Sequence, residues 1–100
     1  MTYRNKAIKQ IKYVNYQNEL RDELKGVEWP FEPSQLLEFE IIAGVSNKAA
    51  DLDNIVKPLL DTYQGIFEEF NDNKVYHIKL YKQLTNKGDE YLYVRVERYI

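Results

Sequence analysis

In the stretch D-L-D-N-I-V-K-P-L-L-D, Asp51 to Asp61, the apolar residues Leu52, Ile55, Val56, Leu59 and Leu60, with Tyr63 just beyond, recur at spacings of three and four. That period is helical, so one face is buried and Asp53, Lys57 and Asp61 line its border. Asp51 suits the N-cap, and the helix is expected to run to about Gln64 and end at Gly65. Pro58 falls inside it, where it removes one backbone donor and favours a kink. A further carboxylate, Asp72, stands just before a strand in N-D-N-K-V, Asn71 to Val75. Carboxylates gathered at such density repel one another unless a hard divalent cation lies between them. Oxygen ligands with retained waters are what magnesium prefers. The stretch therefore predicts a helix whose mouth is a candidate metal site.

Outward from this helix the chain alternates between two periods. Upstream, Leu37, Phe39 and Ile41 alternate with Glu38 and Glu40, the pattern of a half-buried strand, and Gly44 to Ala50 reads as a loop. Earlier still, Lys6 to Lys25 has no internal glycine or proline and carries Tyr13, Tyr16, Leu20, Leu24 and Val27 on one stripe. Gly26 and the W-P-F-E-P segment, Trp29 to Pro33, stop that helix. Downstream, beyond a linker containing Phe67 and Phe70, Val75 to Lys82 and Glu90 to Arg98 alternate as strands. The N-K-G-D turn, Asn86 to Asp89, joins them into an expected antiparallel hairpin. The order helix, strand, helix, strand, strand predicts a single α+β domain over residues 1–100, with two helices on one face of a small mixed or antiparallel sheet.

Composition narrows the setting. One hundred residues, 44% of them hydrophobic and 14% aromatic, suffice for one compact core but not two. The absence of cysteine excludes a disulfide framework and a thiolate metal site, and suits the cytoplasm. No apolar run approaches the length of a bilayer span, which predicts no membrane partner. The net charge of -2 is unevenly spread: Met1 to Val27 holds six basic and three acidic residues, Glu28 to Asp72 two and ten, and Asn73 to Ile100 six and three. The acid is concentrated around the candidate site, and the basic flanks offer Lys9, Lys12, Lys48, Lys79 and Lys82 as phosphate contacts.

A plainer account of the same residues is that Asp51 only caps the helix, that Asp53 is favoured in its first turn by the helix dipole, and that Lys57 pairs with Asp53 or Asp61 at i and i+4. An EF-hand is excluded, because Ile55 stands where an oxygen ligand is needed and the required glycine and distal glutamate are missing. A cysteine nucleophile is absent, and the one histidine, His77, falls inside a strand as a partly exposed residue.

The full pattern is more specific than any of its parts. Asp51, Asp53, Asn54 and Lys57 form D-x-D-N-x-x-K; Asp61 follows, then Asp72 three residues before Val75, then Lys82 seven residues after it. Over roughly Leu36 to Val96 this resembles the RusA-like family of phage and prophage Holliday-junction resolvases. The resemblance implies that Asp51, Asp53 and Asp72 hold magnesium, that Lys57 is needed for cleavage, that the substrate is a four-way DNA junction formed in recombination and repair, and that the protein is a homodimer. Where the family has D-D this chain has Asn71-Asp72, and where it has arginines before D-x-D this chain has Lys48, Ala49 and Ala50. Family members begin with a strand, so by comparison this chain reads as shortened at its N-terminus, with one strand of the sheet expected to be missing. A shortened, non-catalytic DNA-binding or interaction module of the same fold is the alternative expectation.

Overall fold

The computed structural model describes the backbone of residues 2–5, 13–49 and 53–100, and the side chains of Thr2 and of residues 17–49 and 54–100. It contains β1 (Thr2–Asn5), α1 (Tyr13–Leu24), β2 (Leu37–Val45), α2 (Asp53–Ile66), a 3-10 turn (Asp72–Lys74), β3 (Val75–Leu84) and β4 (Tyr91–Arg98). The architecture is α+β. From α1 onward the order is helix, strand, helix, strand, strand, as the patterning predicts. β1 is an addition to it: a short strand does precede the first helix, and it pairs antiparallel with β4 from Thr2 opposite Arg95 to Asn5 opposite Leu92.

The sheet is four-stranded in the order β1-β4-β2-β3. β3 and β4 therefore do not form a hairpin, which corrects the expectation from the N-K-G-D turn. β2 lies between them, parallel to β3 and antiparallel to β4. Side-chain burial accounts for this order. The inward residues of β2 and β4, namely Leu37, Phe39, Ile41, Ala43, Val45, Leu92, Val94 and Val96, are all buried. β3 instead interleaves His77, Lys79 and Lys82 with apolar residues and has no buried position. Strands with a wholly apolar face take the centre of a sheet, and lysine-bearing strands take the edge. α2 supplies the crossover that a parallel β2–β3 pair requires.

Both helices cover the same face of the sheet. Leu20 and Leu24 of α1 and Ile55, Leu59 and Tyr63 of α2 join the inward residues of β2 and β4 in one core. Pro58 is accommodated inside α2, and its carbonyl accepts from Nε2 of Gln17 (3.0 Å) and Oγ1 of Thr62 (2.8 Å). Gln17 also donates to the Thr62 hydroxyl (2.9 Å), so one buried amide joins the two helices at the proline. Gly26, at φ +79, ends the α1 segment as expected. Gly44 and Val45 lie in β2 rather than in a loop, and Gly65 lies within α2.

The linker read as merely connecting turns out to be core. Phe67 and Phe70 are buried, and Trp29 packs against both, with ring centroids 4.7 and 5.3 Å apart. Tyr63 and Phe39 complete this aromatic cluster. Among the described residues no helix is long and apolar enough to cross a membrane.

Candidate functional site

The topology places the sequence-predicted site residues at two ends of one βαβ unit. β2 delivers the chain at Val45 to the segment that leads into α2; α2 then runs back, and the 3-10 turn leads into β3 beside the start of β2, where Val75 is opposite Leu37. Asp53 begins α2 and lies at the carboxyl end of the parallel pair. Asp72 lies at the amino end, separated from it by about 26 Å of β2 at ~3.3 Å per residue. Asp51 and the side chain of Asp53 fall outside the described residues, as do Lys9 and Lys12.

At the carboxyl end, several side chains hold the segment that leads into α2. Nζ of Lys82 donates to the Lys48 carbonyl (2.8 Å), which brings two of the predicted phosphate contacts together. The Thr85 amide donates to the Val45 carbonyl (2.8 Å), and Oδ1 of Asn47 accepts from the Ala49 amide (2.9 Å). Ser46 donates to Oε2 of Glu90 (2.8 Å), whose other oxygen accepts from the Gly88 amide (2.6 Å). Glu90 is only 4% exposed. The Ser46 hydroxyl, followed by backbone donors at Glu90 and Gly88, stabilises its ionised form and holds its carboxyl below the usual range. The sequence reading missed Glu90 because nothing in a strand-boundary glutamate signals that it will anchor a residue 44 positions away.

Lys57 projects from the first turns of α2 and is 83% exposed, with Nζ 3.8 Å from Oδ2 of Asp61. Of the two partners expected at i and i+4, the structure pairs it with Asp61. Asp72 is exposed, and its amide donates to Oε1 of Gln64 (2.6 Å), which ties it to the far end of α2 from Asp53. Asn71 serves the local backbone as the N-cap of the 3-10 turn, where its side chain accepts from the Asn73 amide (3.0 Å). Among the described residues, no group of three or more histidine or acidic side chains is arranged to hold a metal ion.

Lys79 and Lys82 sit on opposite faces of the sheet, because Lys79 aligns with Glu40 and Lys82 with the buried Ala43. Lys82 therefore belongs with the α2 entrance, whereas Lys79 belongs to the face without helices. That face carries a ladder of compensating charges. Arg95 lies 3.5 Å from Glu40 and 3.6 Å from Glu97, and Nδ1 of His77 lies 3.2 Å from Glu38, which leaves His77 an exposed strand residue as read. Tyr81 donates to Glu40 (3.1 Å), and this bond raises the tyrosine pKa because it holds the phenol proton. Cations and carboxylates neutralise one another there, so the shallow cavity between them does not select an anion.

No protein-family profile matches the chain, and no curated protein matches it.

Proposed function

We propose that the chain is a magnesium-dependent endodeoxyribonuclease of the RusA-like type, cutting four-way DNA junctions in recombination and repair in the cytoplasm, as a two-fold dimer. The observation that carries this reading is the Lys82–Lys48 contact at the entrance to α2. It gathers two cations, the positive end of a helix dipole and the D-x-D-N-x-x-K segment at the carboxyl end of a parallel strand pair. Ligands of open α/β sheets bind at that end, and phosphates favour helix amino termini.

Asp72 lies at the other end of the same unit, so one chain alone does not unite it with Asp51 and Asp53. A second copy placed by a two-fold axis with its β3 antiparallel supplies it: the amino end of one β3 then lies near the carboxyl end of the other β2. Each site would hold magnesium through Asp51 and Asp53 of one chain and Asp72 of the other. What magnesium supplies when bound is polarisation of the scissile phosphate and a water acidic enough to attack it. Lys57, exposed on the first turns of α2, stabilises the charge that builds on the phosphoryl oxygens. Lys48 and Lys82 hold the backbone beside the cut, and their contacts weaken as salt rises because counterions are released. Two symmetry-related sites suit a junction with two equivalent strands.

The separation of Asp72 from the start of α2 within one chain favours a second reading, a non-catalytic DNA-binding or interaction module. A synthetic four-way junction and a linear duplex of the same sequence, each incubated with magnesium, discriminate the two. Paired symmetric nicks in the junction alone support the nuclease. Junction binding without cleavage at every magnesium concentration supports the non-catalytic module.

A further inference from the structure

We propose that two copies of this chain join edge to edge along β3, antiparallel and centred on Tyr81, to make one continuous sheet. The inference deepens the dimer reading above by naming the surface, and rests on that reading only for its consequence at the metal site.

Among the described residues β3 pairs with β2 alone, which leaves its other edge a ten-residue row of backbone donors and acceptors. Such an edge is a template for a further strand. Its side chains point the same way. Ile78 and Leu84 align with the buried Phe39 and Val45, so they lie on the helix-covered face. Yet they remain 37% and 56% exposed, because the layer of helices ends before the sheet does.

The lysines on this edge limit which register a second copy can adopt. In an antiparallel pair of identical strands the central residue faces itself, and directly opposed like charges are destabilising. Centring on Lys79 or Lys82 sets that lysine against its own copy. Centring on Leu80 separates them but places Lys82 opposite Ile78 and leaves Leu84 opposite Tyr76. Centring on Tyr81 places Ile78 of each chain opposite Leu84 of the other, Lys79 opposite Gln83, and Lys82 opposite Leu80. That register covers the two exposed aliphatic residues twice over and opposes no like charges. It also carries the 3-10 turn of each chain, with Asp72, toward the end of the sheet at which the other chain's α2 begins.

The test is the solution mass of the wild type and of two double variants that differ only in the charge at position 84. The wild type is expected at twice 12.0 kDa by sedimentation equilibrium. Ile78→Lys with Leu84→Lys faces like charges across both contacts and is expected to weaken the dimer by about a hundredfold. Ile78→Lys with Leu84→Glu faces opposite charges at the same contacts and is expected to stay within about tenfold of the wild type. Both positions are exposed, so circular dichroism should show the same fold in all three proteins. A monomeric wild type would overturn this interface together with the dimer reading. A dimer equally indifferent to both variants would overturn this interface alone, and equal loss in both variants would overturn the register.

Discussion

Replacing Lys57 by alanine separates a charge that serves the substrate from one that serves the helix. The ammonium is 83% exposed and lies 3.8 Å from the Asp61 carboxylate, itself 38% exposed. Two unit charges at that distance in water attract by about 1 kcal/mol, and fixing two mobile side chains cancels much of it. An exposed i, i+4 pair is therefore worth roughly 0.3 to 0.5 kcal/mol. For a domain of this size Lys57→Ala should lower the melting temperature by only about 1 to 4 °C. Loss of an electrostatic contact made in the transition state costs far more, about 100-fold or greater in rate. The assay pairs a thermal melt with single-turnover cleavage of a four-way junction in magnesium. Near wild-type cleavage would refute the catalytic role and assign Lys57 to the helix alone. A melting loss above about 8 °C, beyond what an exposed pair can supply, would show a structural role that the 3.8 Å geometry does not explain.

Three further outcomes follow from the packing. A Cβ built on Gly44 would overlap the Tyr91 ring, so Gly44→Ala should destabilise by about 1 to 3 kcal/mol in urea unfolding. Leu59→Ala removes a wholly buried residue of α2 and should cost about 2 to 5 kcal/mol by the same assay. Glu90 has a depressed carboxyl pKa in the folded state, so its contribution is present above the unfolded value and is lost as pH falls through the folded one. Ser46→Ala should therefore narrow the stability difference between neutral and acidic pH, read from unfolding curves across that range.

The elements were legible where a short-range period expresses burial. The alternation at Leu37 to Ile41 and the three-and-four spacing from Ile55 to Tyr63 describe faces that the structure does bury. Strand pairing was not legible, because the N-K-G-D turn is a local signal whereas the placement of β2 between β3 and β4 is decided by which strands carry a wholly apolar face. β1 is too short to show a period, and it is defined by pairing with β4 at the far end of the chain. Phe67 and Phe70 looked like linker residues because no period frames them, and only their packing on Trp29 makes them core. The candidate site was legible as residue types. Its division was not, because sequence spacing does not reveal that a parallel crossover carries Asp72 away from the start of α2.

That division is the central claim, and a mixed dimer tests it most directly. Asp53→Asn and Asp72→Asn chains carrying different tags are co-expressed, and the heterodimer is isolated through both tags. If each site draws Asp51 and Asp53 from one chain and Asp72 from the other, the heterodimer holds one site with both substitutions and one with neither. It should nick one strand of a four-way junction in magnesium at about half the total wild-type rate, while either variant alone is inactive. A heterodimer no more active than its parents would contradict the shared site.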